Sequence, residues 1–302
     1  MDINIIYIVD PVKGSAYSRN GLDIEEILKI ISRKGNLEGH PDYKDVDSYE
    51  AICDVEVDVI VEVTPTNLVD GEPGYSHIKR ALYEGKHVIT TNKGPIALYY
   101  KELTRLADQK GLYLGFEGTV MSGTPLIKIL RYGLLQDIER LRGILNGTTN
   151  FILTKMGEGY SFETALKEAQ ELGYAESDPT MDIDGYDLVA KAAILVNVIT
   201  DDAVKPKDIF RMSLREYLNN RGYEGNLKYL VDLDFNNNIF AVIPKPLERT
   251  SSLVSVKGVN NGVEIETKSL GKSFIIGPGA GREETGYAIL TDLKELITWA
   301  YS

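Results

Sequence analysis

The chain has 302 residues, 43% hydrophobic and 26% charged, with a formal charge of −12. That is an ordinary globular composition, long enough for one large or two medium domains. The acidic balance opposes phosphate backbones and anionic lipid, so nucleic acid and membrane are excluded as expected partners.

One cysteine, Cys53, cannot form an intramolecular disulfide, and with His40, His77 and His87 scattered it offers no zinc site; it reads as a small buried apolar residue. No apolar run approaches the roughly 20 residues needed to span a bilayer, and no basic segment with an apolar core and cleavage site opens the chain. The expectation is a cytoplasmic protein acting on a small molecule.

In chain order, residues 5–9 (IIYIV) form an apolar run ending at Asp10-Pro11. Further runs follow at residues 57–63 (VDVIVEV), 87–90 (HVIT) and 112–116 (LYLGF), with helical patterns around 24–32, 75–84 and 98–109 between them. Strands buried on both faces and separated by helices predict a doubly wound parallel sheet. Ser161 then opens a helix with Phe162, Ala165, Leu166, Ala169 and Leu172 on one face and Gly173 as its stop; a second helix is expected over 184–198. From 229 to 276 the pattern turns to strands: YLVDLDF, NIFAVI, SLVSV, GVEIET and KSFII. A last helix spans about 283–300. The architecture is α/β: a Rossmann-like nucleotide-binding domain (1–122 plus 277–302) with an inserted α+β substrate and dimerisation domain (123–276), the last helix returning to the first domain.

The second helix carries the chemistry. From Leu188 to Val196 it reads LVAKAAILV, apolar on every face except at Lys191. A helix apolar all round is buried, so its lysine must be paired, neutral or facing a wet pocket. Asp187 lies one turn earlier on the same face. An exposed ion pair worth about 0.3–0.5 kcal/mol is the bland alternative, and the apolar neighbours argue against it. Lys191 is thus a pocket lysine, held by Asp187 and able to exchange a proton. Just upstream, residues 173–184 (GYAESDPTMDID) put four carboxylates between two helices. Their spacing is not that of a calcium loop and better suits an ammonium or a hydroxyl.

Four blocks then carry a resemblance that covers the whole chain. Gly173-Tyr174-Ala175-Glu176-x-Asp178-Pro179-x-x-Asp182-Ile183-x-Gly185-x-Asp187-x-x-x-Lys191 resembles the substrate signature of the homoserine dehydrogenases. RGILNGTTNFIL at 142–153, TTNKGP at 90–95 and EGTVMSGTP at 117–125 are similar to further blocks of that family. The resemblance implies interconversion of L-aspartate semialdehyde and L-homoserine in threonine and methionine biosynthesis, NAD or NADP as cofactor, and a homodimer. It implies Lys191 as proton donor, Asp187 as the group orienting it, and Glu176 binding the substrate amino group with Gly173, Tyr174 and Asp182. It places Lys93 beside the nicotinamide and the reacting carbon, in a turn at the carboxyl edge where doubly wound sheets bind ligands; the bland reading of Lys93 is an exposed turn lysine. Thr64, Pro65 and Asn92 join it as cofactor-binding residues. Glu117, Val120, Ser122 and Thr124 match a monovalent-cation site (Na+ or K+) built mainly from carbonyl oxygens.

Gly277-Pro278-Gly279-Ala280-Gly281 precedes the last helix, where glycines let backbone N–H groups approach an anion; the resemblance sets Gly279, Gly281 and Thr285 beside the cofactor. Asp10 ends the first strand, where a carboxylate would bond a ribose 2′-hydroxyl and favour NAD, with Lys13 nearby to offset it.

One departure stands out. The chain has no Gly-x-Gly-x-x-Gly turn and reads as though it begins at the second strand, with roughly 25–30 residues of the first βα unit missing. Three accounts fit: residues of the molecule lying outside this sequence, a neighbouring subunit or rearranged segment in the slot, or a degenerate cofactor-free relative that binds an amino acid without catalysis. A dehydrogenase of a related amino acid aldehyde is a further reading.

Overall fold

The computed structural model describes residues 3–134 and 137–300. Strands β1 (Tyr7–Asp10) and β2 (Gly14–Tyr17) pair antiparallel in a two-stranded sheet of their own. This corrects the expectation that residues 5–9 join the parallel sheet. Asp10 closes the hairpin turn by accepting from the Val12 and Lys13 amides at 2.8 and 2.9 Å. The hairpin instead builds a small core from Ala16, Leu22, Ile27 and Leu37 with helix α1 (Ile24–Lys34). Helix α2 (Ser48–Cys53) follows. Cys53 at its end is only half-buried and takes a hydrogen bond from Arg80 at 3.3 Å, which corrects the buried apolar reading.

A βαβαβ run forms the parallel sheet: β3 (Val59–Glu62), α3 (Gly74–Tyr83), β4 (His87–Thr90), α4 (Lys93–Lys110) and β5 (Leu114–Gly115), in the order β3-β4-β5. Helix α4 starts earlier than its periodicity suggests. Asn92 caps it by accepting from the Gly94 amide, and the backbone leaves helical geometry at Tyr99 (φ −134°, ψ 24°), which breaks the pattern.

The rest of the chain wraps a six-stranded sheet. Its elements are β6 (Ile138–Ile144), α5 (Gly147–Gly157), α6 (Phe162–Glu171), α7 (Thr180–Ile183), α8 (Tyr186–Thr200), β7 (Phe210–Arg211), α9 (Leu214–Arg221), β8 (Leu227–Asp234), β9 (Ile239–Pro246), β10 (Asn260–Thr267) and β11 (Gly271–Pro278). The strand order is β11-β10-β6-β8-β9-β7, antiparallel except where β7 meets β9. Residues 252–256, expected as a strand, are mainly a 3-10 turn (Ser252–Ser255). Leu253 and Val256 fold down onto Ile144, Leu230 and Leu247, so their apolarity serves a cap over one sheet face. On the other face Leu141, Val231 and Val263 pack into the main core with α8.

Two packings position the site. Helix α4 of the parallel-sheet half lies against α8 of the other half, and one continuous core contains Ile96, Tyr100 and Leu103 together with Ile194 and Leu195. Helix α10 (Arg282–Ala300) returns to the parallel sheet, where Leu296, Ile289 and Leu293 meet Ile89, Tyr113 and Val59. Among the described residues no helix is long and apolar enough to cross a membrane.

Candidate active site

Helix α8 is apolar because it is the central helix of the core: every residue from Leu188 to Asn197 is buried. Lys191 is 8% exposed, and its Nζ is held on two sides, 2.8 Å from Asp187 Oδ2 and 2.5 Å from the Leu145 carbonyl to which it donates. The i,i+4 spacing supplies the first contact; the end of β6 supplies the second. Lys93, the first residue of α4, comes from the other half of the molecule and reaches Asp187 Oδ1 at 3.6 Å. One carboxylate therefore holds two ammonium groups.

Asn146 completes the cluster. It caps α5 by accepting from the Thr149 amide, which leaves its Nδ2 free to donate to Asp182 at 2.7 Å and Asp187 at 3.1 Å. Burial pushes the Asp187 carboxyl upward, but the attractions of Lys191 and then Lys93, with hydrogen bonds from Lys191 and Asn146, outweigh it and hold the group below the usual carboxylate range. Asp182 goes the other way: burial first, then repulsion from Asp187, raise it, against the opposing pull of Asn146, Thr148 and Lys191. The two neighbouring carboxyls are thus driven apart, Asp187 toward its ionised form and Asp182 toward its protonated one.

The remaining substrate-loop residues form an open lip. Gly173 (φ +74°) ends the turn after α6. Tyr174 is exposed, packs edge-on to Phe151, and accepts from Thr148 Oγ1 at its carbonyl at 2.6 Å. Glu176 is exposed. The structure brings Lys93, Asn146, Asp182, Asp187 and Lys191 into one contact network and leaves Glu176 outside it.

At the carboxyl edge of the parallel sheet, Thr64, Pro65, Asn92 and Lys93 meet. Asn92 donates to Thr64 Oγ1 at 3.2 Å and to the Pro65 carbonyl at 3.5 Å. A Cβ on Gly94 would stand 2.4 Å from the Asn67 carbonyl oxygen, so only glycine lets this turn close. The glycine loop touches both halves of the molecule. Thr285 donates to the Gly281 carbonyl at 2.7 Å and lies 3.0 Å from Ser122 Oγ, while Thr124 donates to the Pro278 carbonyl at 3.0 Å. A side chain at Gly279 would overlap Asn261. These close backbone approaches fix the two loops against their neighbours. Asp10 is not at this edge; it stays at the tip of the β1–β2 hairpin.

Glu117 is not a free ligand. Its carboxylate accepts from the Leu126, Ile127 and Lys128 amides at 2.7, 2.9 and 2.9 Å, and burial pushes it up to about 7 against those bonds. In the same segment Met121 and Ser122 adopt left-handed conformations (φ 59° and 46°). Among the described residues no cluster of three or more His, Cys, Asp or Glu could hold a metal.

Leu145 and Asn146 join the site only through the fold. The signal for Asn146 was a cap residue at the head of the Gly-Thr-Thr-Asn helix; a carbonyl ligand such as that of Leu145 leaves no trace in sequence.

Comparison with known proteins decides the family. The family profile described as homoserine dehydrogenase matches residues 125–293, and the one described as homoserine dehydrogenase, NAD binding domain, matches residues 21–117. The homoserine dehydrogenase of Methanocaldococcus jannaschii is 39% identical over 302 residues, covering 97% of this chain and 88% of its own. That of Sulfurisphaera tokodaii is 42% identical, covering 94% and 88%. The chain belongs to the homoserine dehydrogenase family. Among solved structures, a hyperthermophilic archaeal homoserine dehydrogenase in complex with NADPH superposes with a TM-score of 0.85 at 33% identity, over 98% of this chain and 88% of that one.

Proposed function

We propose that Lys191 is the proton donor of an NAD(P)-dependent homoserine dehydrogenase, with Asp187 fixing it and Lys93 facing it across the cleft. Family membership makes the chain an oxidoreductase of the aspartate pathway and disfavours a degenerate binding protein or a different aldehyde substrate. The observation that carries the residue assignment is the buried amine with a carboxylate on one side and a carbonyl on the other.

The bound cofactor supplies hydride to the carbonyl carbon of L-aspartate semialdehyde. Lys191 gives its proton to the aldehyde oxygen, and in the reverse direction it accepts the hydroxyl proton of homoserine. Asp187 and the Leu145 carbonyl leave the amine little rotational freedom, so the proton is aimed before substrate arrives. Asp182, with Gly173, Tyr174 and Glu176 at the lip, receives the substrate ammonium. An arriving cation relieves the repulsion that Asp182 feels from Asp187. Lys93, Thr64, Pro65 and Asn92 hold the ring end of the cofactor, with Gly279, Gly281 and Thr285 opposite.

The carbonyl oxygens around Glu117, Val120, Ser122 and Thr124 are the proposed Na+ or K+ site, supported by the left-handed backbone there. The NAD preference expected from Asp10 loses its support, because that carboxylate accepts the turn amides of Val12 and Lys13 at a hairpin tip away from the carboxyl edge. The domain division at 122/123 and 276/277 is supported by the return of α10 to the parallel sheet. A homodimer is the expectation that membership of the family carries. A cytoplasmic setting follows from the biosynthetic role.

The test is direct: purified protein is given L-aspartate semialdehyde with NADH or NADPH, and loss of reduced cofactor is followed with homoserine formation. Substrate-dependent oxidation with stoichiometric homoserine is expected. Cofactor binding by calorimetry without any turnover would return the non-catalytic reading.

A further inference from the structure

The carboxyl edge of the parallel sheet hides a second buried carboxylate that the reaction scheme does not use. Glu62, the last residue of β3, is 3% exposed, and among the described residues no lysine or arginine forms an ion pair with it. An unpaired buried carboxylate is costly unless donors surround it. Here they do. Oε1 accepts from the Thr64 amide at 2.9 Å and from the Thr64 hydroxyl; Oε2 accepts from the Thr90 hydroxyl at 3.1 Å.

Those donors are themselves tied together. Thr90 Oγ1 accepts from the Asn92 amide at 3.0 Å, and Asn92 Nδ2 returns to Thr64 Oγ1 at 3.2 Å. The ring Glu62–Thr64–Asn92–Thr90 is closed. Asn92 Oδ1 then caps α4, whose first residue is Lys93, the lysine that reaches Asp187. Gly74 at the start of α3 seats against the ring: a Cβ there would lie 2.6 Å from Asn92 Nδ2 and 3.0 Å from Glu62 Oε2.

We propose that Glu62 is a positioning residue, the acceptor hub that locks the Thr64-Pro65 loop to the Thr90–Lys93 turn and so shapes the cofactor-ring site and places Lys93. An accepting group suits the position, because each of its contacts comes from an N–H or O–H donor, and three donors converge on two oxygens. Its charge strengthens each of those bonds. The geometry is one of tethering across two loops that sequence separates by 28 positions, and misplacing such supports by an ångström costs catalysis out of proportion to stability. The inference rests on the cofactor-site reading given above.

The test compares Glu62→Ala and Glu62→Gln with the wild type. For Glu62→Ala, NADH and NADPH binding, followed by fluorescence titration without substrate, weakens about tenfold, and kcat for aspartate semialdehyde falls about tenfold. Amide hydrogen exchange in ligand-free protein speeds up in peptides covering Thr64 and Asn92. Glu62→Gln, which keeps one acceptor oxygen for Thr64, restores binding to within about threefold. A Glu62→Ala protein with wild-type cofactor affinity and kcat, whatever its thermal stability, overturns the proposal. Should that variant not fold, Thr90→Val removes the bond to Glu62 together with the one from the Asn92 amide and must weaken cofactor binding by about threefold or more; unchanged binding there overturns it equally. A wild type without turnover but with Glu62-dependent cofactor binding sinks the proton-donor reading and leaves this one standing.

Discussion

Two of the cleft region's carboxylates, the half-buried Asp187 and the buried Glu62, have opposite surroundings. Asp187 faces two lysines, whose charges hold it ionised far into acid. Glu62 faces two threonines and has hydrogen bonds but no counter-ion among the described residues. The first arrangement binds charge to charge and so governs where a proton resides. The second fixes loops without offering a proton-exchange partner. A buried acid is therefore not by itself a sign of acid–base chemistry; the identity of its donors says which task it serves.

The comparison breaks most sharply at Asp187. Replacing it with Ala leaves two ammonium groups facing each other over a cavity, and kcat should fall by about a hundredfold or more. Removing one partner of a buried pair should also cost about 3 kcal/mol in urea unfolding. A Asp187→Ala enzyme of normal kcat would mean that Lys191 does not need its tether. Next comes Lys93→Met, which removes the second cation but not the first: kcat should drop by about tenfold, and the loss should be visible in kcat more than in the semialdehyde KM.

A third test uses pH. The Asp187 carboxyl is lowered in the fold from an ordinary value near 3.8, so the stability it contributes is fully present above that value and is lost as pH falls through the lower, folded pKa. The stability gap between wild type and Asp187→Asn should thus be constant from neutral pH to about 5 and narrow below 4. A gap that narrows around neutrality would contradict the assignment. The smallest effect is expected at Asp182, whose carboxyl is raised by burial and by Asp187. Asp182→Asn keeps the bond from Asn146 and removes the repulsion, so Tm at pH 7 should rise by about 2 °C while substrate KM worsens.

How much of this was legible in the sequence depends on how local each feature is. Lys191 and Asp187 are one helical turn apart in an otherwise apolar helix, so periodicity alone exposed them. Strands β3, β4, β8, β9, β10 and β11 are equally plain, because each is a short run of apolar residues or of apolar residues alternating with polar ones. The partners of those elements are not. The run at 5–9 is a strand, but it closes a hairpin over α1, which no pattern of its own residues reveals. Residues 252–256 have strand-like apolarity and instead cap a sheet. Strand β6 (IERLRGI) alternates charge with bulk because one of its faces carries the Arg140 and Arg142 ladder, and it escaped notice. Glu62 carries no signal of its own, and Asn146 shows in sequence only as a helix cap; the meaning of both arises when loops far apart in sequence converge on them.

The most direct test of the whole account is the rate of aspartate semialdehyde reduction by Lys191→Ala under saturating cofactor, beside its circular dichroism and its cofactor affinity. The expected result is an intact fold that still binds nicotinamide, with kcat lowered by about a thousandfold or more. A Lys191→Ala protein that reduces the semialdehyde at close to the wild-type rate would show that this buried amine is a strut in the core, and another group delivers the proton.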